Sequence, residues 1–221
     1  MRTRGYRTGS TPMFTPDLFV NRIVVLASAV VYWVGVYLQT RRIRHRIGRS
    51  PNVKPRGPKE KLLWAGWVLV VLAWLTLPFL AGSGGAWFGW QCVPALCGPA
   101  SRVLGIGLIG AGYAGTLWCY AAMGAAWRIG VNRAETTTLV TQGPFQFVRH
   151  PIYLCQIVML IGVALLLPTP ISLAILVIHI LFCGIKASDE ENHLRNALGG
   201  QYRDYLSRTG RFFPKLRIRS K

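Results

Sequence analysis

The stretch PIYLCQIVMLIGVALLLPTPISLAILVIHILFCGIK, residues 151–186, decides the fold of this chain. It contains two almost uninterrupted apolar runs, 151–167 and 171–186, which meet at Pro168-Thr169-Pro170. Two apolar runs of helical length around a proline-rich turn predict a helical hairpin. Both runs are shorter than the about 20 residues of a usual membrane span. We therefore expect a hairpin whose helices do not cross the bilayer at equal depth.

Three longer apolar segments precede the hairpin, at residues 18–38, 62–80 and 103–127. Together with the hairpin they predict an all-α fold, a polytopic transmembrane bundle of about five spanning helices. Residues 1–17 are polar, and we expect a flexible N-terminal segment there. Residues 18–221 are expected to form a single integral-membrane domain, and the first apolar run is interpreted as an anchor rather than a cleaved signal.

The charge of the chain is strongly positive, with 26 Lys and Arg against 7 Asp and Glu and a net charge of +19. Most cations lie in 39–61, which is expected to be a basic loop, and in 128–150 and 187–221. The positive-inside rule therefore predicts that these segments and the C-terminus are cytoplasmic. Anionic lipid headgroups are then the expected partners of these cations. Nucleic acid is not an expected partner, because positive charge alone does not read bases. Five helices would place the N-terminus outside despite Arg2, Arg4, Arg7 and Arg22. Either the charge of 39–61 orients the first helix, or one segment is miscounted.

Two other patterns have simple interpretations. Cys92 and Cys97 share the loop 81–102 and could form a disulfide in an oxidising compartment, but without His or carboxylate neighbours they predict no metal site. The G-x-G-x-x-G match at 105–110 lies inside an apolar helix rather than after a strand, so it does not predict dinucleotide binding. Gly107, Ala111 and Gly115 instead have the four-residue spacing that allows membrane helices to approach closely.

Polar residues flank the hairpin at one end. Arg149 and His150 precede its first helix, and Glu190 and Glu191 follow its second. His150 and Tyr153 share a helix face. Lys186, Glu190 and His193 form a second stripe, which can face the first. Each cluster alone also fits a headgroup anchor or a solvated helix end. Their convergence favours a functional site.

An ordered set of motifs resembles the isoprenylcysteine carboxyl methyltransferase family, within a wider group of integral-membrane methyltransferases that includes phospholipid N-methyltransferases. The resemblance covers residues 136–214. Its motifs are Leu139-Val140-Thr141-x-Gly143-Pro144-Phe145, Arg149-His150-Pro151-x-Tyr153, Glu190-Glu191-x-x-Leu194, Gly199-x-x-Tyr202-x-x-Tyr205 and Arg211-x-x-Pro214.

The resemblance implies S-adenosylmethionine as methyl donor, in a cytoplasm-facing pocket formed by the hairpin and the C-terminal tail. It implies catalytic roles for Arg149 and Glu190, where Arg149 would hold the Glu190 carboxylate or the acceptor, and a substrate-binding role for Lys186. The cofactor-binding residues that it implies are Thr137, Thr138, Leu139, Val140, Phe145, His150, Pro151, Ile152, Tyr153 and Glu190.

The implied reaction is methylation of a lipophilic small molecule or lipidated substrate in the membrane. A carboxylate acceptor needs only a cation such as Lys186 or Arg149, whereas an amine needs a base. The sequence therefore favours carboxyl O-methylation of an isoprenylcysteine-like or other lipophilic substrate. The alternatives are phospholipid or amine N-methylation, an NADPH-dependent reductase of the sterol-reductase kind, and a non-catalytic membrane scaffold.

Overall fold

The described part of the chain is α-helical. The computed structural model describes residues 16–48, 50–51, 55, 57–82, 98–127 and 139–215. Its helices are α1 Pro16–Ile47, α2 Pro58–Leu80, α3 Pro99–Met123, α4 Pro151–Leu166, α5 Pro170–Leu198 and α6 Gly200–Arg208. Within these ranges the only β pairing is an isolated bridge, Val148 to Gly210. The predicted all-α fold is confirmed.

Each of the first five helices begins at a proline, namely Pro16, Pro58, Pro99, Pro151 and Pro170. Proline suits the first helical position because its missing N–H has no intrahelical partner there and its φ is already helical. Helix α5 also has a capping box, in which Thr169 Oγ1 accepts from Ser172 N at 3.1 Å and Ser172 Oγ accepts from Thr169 N at 3.1 Å. The turn of the predicted hairpin is thereby fixed at residues 167–169.

Four of the helices, α1, α2, α3 and α5, are long and apolar enough to cross a membrane. Helix α4 has 16 residues, which is a length of about 24 Å against the roughly 30 Å of a hydrocarbon core. The expectation of about five spans thus becomes four full-length helices and one shorter one. Helix α5 has 29 residues and is longer than expected, because the helix continues through the polar sequence after Lys186.

Two predicted boundaries were wrong. Pro16 and Asp17 begin α1 rather than ending a flexible segment, while residues 1–15 lie outside the described residues. Residues 39–47 were expected in a basic loop, but they form the last turns of α1. Long Arg side chains suit such a helix end because their charges reach the solvent and the terminal carbonyl groups favour cations.

Helices α1 to α5 alternate in direction. Asn21 Nδ2 donates to Leu166 O at 2.9 Å, and Arg102 pairs with Asp17 at 2.7 Å. The start of α1, the start of α3 and the hairpin turn therefore lie at one end of the bundle, called here the turn end. Helices α1 and α3 end, and α4 begins, at the opposite end, called here the site end.

Glycines allow α3 and α4 to pack closely. A Cβ atom added to Gly162 would lie 2.6 Å from Gly105 O, and one added to Gly112 would lie 2.6 Å from Cys155 O. The expected close packing of α3 is confirmed, but the predicted residues were partly wrong. Gly107 and Ala111 are exposed, and only Gly115 of that set meets α4. The buried face of α3 has Gly105, Ile109, Gly112 and Thr116 at alternating four- and three-residue steps, so a strict four-residue pattern identified a neighbouring face.

The buried core lies mainly towards the turn end. Val25 and Tyr32 of α1, Trp74 of α2, and Met159 and Leu166 of α4 are among its residues. Many large apolar side chains on the outside of the helices remain exposed, as expected for a surface that faces lipid. Nearer the site end the helices separate around a cavity.

Candidate active site

A cavity of about 240 Å³ lies between the five long helices. Its wall is formed largely by aromatic side chains, and ionisable groups occur at the site end. The lining residues used below are Tyr32, Trp33, Trp67, Trp127, Phe145, Arg149, His150, Pro151, Ile152, Tyr153, Gln156, His179, Phe182, Cys183, Lys186, Glu190 and His193.

Glu190 joins the two halves of the hairpin at this end of the cavity. The Tyr153 hydroxyl donates to Glu190 Oε1 at 2.6 Å, and His150 Nδ1 lies 3.4 Å from Glu190 Oε2. The Glu190 side chain remains 28% exposed. The two polar stripes predicted from the sequence therefore face each other, and Glu190 retains access to the cavity.

Glu191 has the opposite environment, since its side chain is only 1% exposed. Arg149 Nε donates to Glu191 Oε1 at 3.0 Å, and Arg211 Nη2 donates to Glu191 Oε2 at 2.8 Å. Arg149 was expected to hold Glu190 or the acceptor, but its carboxylate partner is Glu191. Because residues 190 and 191 differ by about 100° around a helix, Arg149 and the tail lie on the Glu191 side of α5.

His150 lies between the two carboxylates. Its Nδ1 faces Glu190, and its Nε2 lies 3.3 Å from Glu191 Oε1. Only the imidazolium form carries a proton on both ring nitrogens, so this geometry favours the charged state. Burial alone would lower the pKa of His150, but the hydrogen bonds to Glu190 and Glu191 outweigh it and raise the pKa above the usual 6.5.

The C-terminal tail holds the Arg149-His150 segment in place through backbone contacts. Arg149 N donates to Gly210 O at 2.9 Å, and His150 N donates to Arg211 O at 3.2 Å. The Tyr205 hydroxyl donates to Phe145 O at 2.6 Å. The C-terminal tail, residues 199–215, is therefore part of the site, and Tyr205 attaches α6 to the turn that contains Phe145.

Lys186 and His193 add two polar groups to the cavity. Within the described residues, Lys186 has no carboxylate at ion-pair distance, although Glu190 lies one turn further along α5. His193 Nε2 is buried and has no hydrogen-bond partner in the described part of the chain. A cation without a carboxylate partner and an unsatisfied imidazole nitrogen leave this end of the cavity able to bind a polar ligand.

The structure brings most of the predicted site residues together. Eight of them line the cavity, namely Phe145, Arg149, His150, Pro151, Ile152, Tyr153, Lys186 and Glu190. Leu139 and Val140 are half-buried and do not line it. Thr137 and Thr138 lie outside the described residues, as do Cys92 and Cys97.

Two features of the site were missed in the sequence. Glu191 was given no role of its own, although its place beside Glu190 on a helix already implied that the two carboxylates face different ways. The aromatic wall from α1 and α2, which includes Tyr32, Trp33 and Trp67, was also missed. No sequence signal distinguishes these aromatics from lipid-facing ones, because both helices are apolar on all sides.

Two of the comparisons match proteins described as methyltransferases. Residues 100–201 match the family model described as phospholipid methyltransferase. Over 81 residues the chain is 35% identical to protein-S-isoprenylcysteine O-methyltransferase B of Arabidopsis thaliana, covering 36% of this chain and 41% of that protein. The motif resemblance to integral-membrane methyltransferases is thus confirmed, and the apolar helices together with this match identify an integral membrane protein.

Two bacterial relatives have names of a different kind. The chain is 29% identical over 121 residues to a nickel-cobalt-cadmium resistance protein of Alcaligenes xylosoxydans, covering 54% of this chain and 53% of that protein. It is 25% identical over 118 residues to a cobalt-zinc-cadmium resistance protein of Cupriavidus metallidurans, covering 52% and 51%. The chain thus spans about half the length of the curated relatives it matches, or less.

Proposed function

We propose that the protein transfers a methyl group from S-adenosylmethionine to a lipophilic acceptor in the membrane, because residues 100–201 match the family model described as phospholipid methyltransferase. The observation that carries the proposal is the meeting of Tyr153, His150 and Glu190 at one end of a cavity between five helices. Intramembrane ionisable groups that surround a cavity are usually retained for function.

The site end of the cavity fits the chemistry of this cofactor. Glu190 is partly exposed and can accept hydrogen bonds from the hydroxyl or amino groups of a ligand. His193 Nε2 is buried and has no hydrogen-bond partner among the described residues, so it can bond to a ligand. Trp127 and Phe145 supply apolar surface for an aromatic base. When bound, S-adenosylmethionine supplies a methyl group already activated on a sulfonium.

The residues proposed to hold the cofactor are His150–Tyr153, Phe145 and Glu190. The chain's task is to bind and orient both reactants and to exclude water, because alignment of the reacting atoms can supply much of the rate. Arg149 takes part as a positioning residue, since its carboxylate contact is with Glu191 and its backbone fixes the segment that carries His150.

Lys186 favours an anionic acceptor. It is a cation in the cavity wall without a carboxylate partner among the described residues, and a carboxylate acceptor would pair with it and needs no base to remove a proton. We therefore propose carboxyl O-methylation of an isoprenylcysteine-like or other lipophilic acid. The similarity to an Arabidopsis isoprenylcysteine O-methyltransferase supports this acceptor class.

Phospholipid N-methylation is the second candidate, and the description of the matching family model favours it. An amine acceptor must lose a proton during the reaction, and in its protonated form it would be repelled by Lys186. The two candidates therefore differ in the role of Lys186. Removal of its charge should impair methylation of a carboxylate and should not impair methylation of an amine.

We also propose that the site end faces the cytoplasm. The cations of the described helix ends concentrate there, including Arg41, Arg42, Arg44 and Arg46 of α1 and Lys59 and Lys61 of α2. The positive-inside rule supports this orientation, and anionic headgroups are the proposed partners of these cations. Fusion of a fluorescent protein that matures only in the cytoplasm to the C-terminus tests the orientation, and a dark fusion would contradict it.

The activity is tested with purified protein in lipid nanodiscs and S-adenosylmethionine carrying a labelled methyl group. The acceptors are N-acetyl-S-farnesylcysteine and phosphatidylethanolamine, and NADPH binding is measured in parallel. Glu190→Gln should reduce the affinity for S-adenosylmethionine at least tenfold, since hydrogen bonds to charged groups contribute about 1.5–3 kcal/mol. Asp189→Asn is the matched control, because the ion pair of Asp189 is with the exposed Lys59 rather than with a residue of the site.

The proposed function requires two further results in this experiment. S-adenosylmethionine must bind more tightly than NADPH, and label must appear in an acceptor. Binding of NADPH alone would favour a reductase, and binding of neither cofactor would favour a scaffold. If Glu190→Gln and Asp189→Asn both behave like the wild type, the proposed cofactor site is wrong.

A further inference from the structure

We propose that the inner part of the same cavity contains a second subsite, which binds a neutral polar group of the acceptor. Its residues are Tyr32 of α1, Gln156 of α4, and His179 and Cys183 of α5; they are called the inner subsite here. The inference rests on the proposed function, since it takes the methyl acceptor to be the molecule that occupies this cavity.

The inner subsite consists of two hydrogen-bonded pairs. Gln156 Nε2 donates to the Tyr32 hydroxyl oxygen at 2.7 Å, and Cys183 Sγ lies 3.4 Å from His179 Nε2. Tyr32, His179 and Cys183 are almost fully buried. All four side chains nevertheless line the cavity, so they surround a space that a ligand can enter.

These four residues lie in the interior of their helices, away from both helix ends. Polar groups at such depth in a membrane are costly unless they are paired or used. The two pairs leave hydrogen-bonding capacity, because the Gln156 carbonyl has no hydrogen bond among the described residues and a thiol is a weak partner for an imidazole. The inner subsite can therefore accept and donate further hydrogen bonds.

The inner subsite contains no carboxylate, Lys or Arg side chain among its four residues. A charged group placed there would lose its hydration without an opposite charge as compensation. A hydroxyl, carbonyl or amide group fits this environment, because its cost of burial is offset by one or two hydrogen bonds. The chemistry of the inner subsite thus favours a neutral polar group.

The position of the inner subsite defines the length of such an acceptor. On α5, Cys183 and His179 precede Lys186 by three and seven residues, which is about 4.5 and 10 Å along a helix. The cavity wall also includes Trp33, Trp67 and Phe182, which provide apolar surface. Among the lipophilic acids proposed above, the inner subsite therefore favours an amphiphile with an anionic group near Lys186, an apolar middle and a neutral polar group about 5–10 Å away over a plain isoprenyl chain.

Matched pairs of N-acetyl-S-alkylcysteines test this inference. The alkyl chain has four, six or ten carbons and ends either in a methyl or in a hydroxyl group. Carbon–carbon bonds of about 1.5 Å advance roughly 1.3 Å each in an extended chain, so the shorter hydroxylated chains reach the inner subsite and the ten-carbon chain overshoots it. Binding is measured as thermal stabilisation in nanodiscs, and methyl transfer is measured as kcat/KM.

For the wild-type protein we expect about a tenfold preference for the hydroxyl at four or six carbons, the effect of one buried hydrogen bond, and no preference at ten. Gln156→Leu and His179→Phe should each reduce that preference. Val177→Leu, on the exposed face of α5, should retain it. If a variant does not fold, the wild-type pairs still decide the matter.

Three outcomes distinguish the claims. A wild-type protein that prefers the methyl-terminated chain at every length, or a preference that survives in both variants, overturns the inner subsite. Hydroxyl-dependent binding without methyl transfer to any acceptor overturns the proposed function and supports the inner subsite. Transfer with the predicted length dependence supports both.

Discussion

Replacement of Glu191 by Gln separates the structural carboxylate of this site from the functional one. Glu191 accepts from Arg149 Nε at 3.0 Å and from Arg211 Nε and Nη2 at 3.0 and 2.8 Å. Gln preserves the volume but not the charge, and its amide group would face guanidinium donors. The change therefore leaves the Arg149 charge buried without an anionic partner.

The size of the effect follows from the exposure of the partners. Loss of one partner of a buried ion pair costs about 3–5 kcal/mol. The Arg149 side chain is 10% exposed, whereas that of Arg211 is 39% exposed, and solvent screening reduces the second contribution. We expect Glu191→Gln to lower the free energy of unfolding by about 3 kcal/mol. Glu190→Gln should lower it by less than about 1.5 kcal/mol, since the amide oxygen of the new side chain could still accept from Tyr153.

Unfolding by increasing fractions of SDS in mixed micelles, followed by tryptophan fluorescence, measures this difference. Cofactor affinity is measured in parallel, and it should fall for Glu190→Gln even where the protein remains folded. Equal stability of the two variants would refute the assignment of Glu191 as the buried structural carboxylate, as would a Glu190→Gln protein that is the less stable of the two.

The remaining predictions concern pH, packing and cofactor binding. The pKa of His150 is raised above 6.5 in the folded protein, so the charged imidazole stabilises the fold. That stabilisation is fully present below about pH 6.5 and is lost as the pH rises through the higher folded-state pKa. Unfolding measured from about pH 6 to 9 should show this loss of stability, and His150→Gln should abolish the pH dependence. Gly112→Ala should destabilise the protein by about 1–3 kcal/mol because the new Cβ would lie 2.5 Å from Met159 Cγ. Gly107→Ala, which meets nothing within 4 Å, should be neutral or stabilising in the same unfolding experiment. Tyr153→Phe should weaken S-adenosylmethionine binding about tenfold, as measured by calorimetry, because it removes the donor to Glu190.

The hairpin and its polar end could be predicted because both depend on local patterns. Apolar runs of helical length, a Pro-Thr-Pro turn and charges on either side place His150 and Glu190 at the same end of two adjacent helices. The spacing of His150 and Tyr153 then fixes one shared face. These inferences needed no knowledge of how the other three helices pack.

The cavity wall and the packing face of α3 could not be predicted in the same way. In a membrane, lipid-facing and protein-facing positions are both apolar, so periodicity does not separate Gly107 from Gly112 or a cavity-lining Trp67 from an exposed Trp64. Of the two partners expected for Arg149, the Glu190 carboxylate was wrong for another reason, and the acceptor stays a prediction. Which of two adjacent carboxylates an arginine meets depends on the rotation of α5 relative to the tail, and that rotation is a tertiary property.

The adjacent pair Glu190-Glu191 has a consequence for which carboxylate can bind a ligand. A carboxylate has about four lone-pair sites. Glu191 already has Arg149 and Arg211 as hydrogen-bond donors, His150 at 3.3 Å and Arg195 at 3.7 Å, so its capacity is filled. Glu190 accepts from Tyr153 on one oxygen and faces His150 with the other, which leaves about half of its capacity available. A single carboxylate could not both neutralise the buried Arg149 and bind a ligand. Because neighbouring residues of a helix point about 100° apart, Glu191 can pair with the arginines while Glu190 faces the cavity.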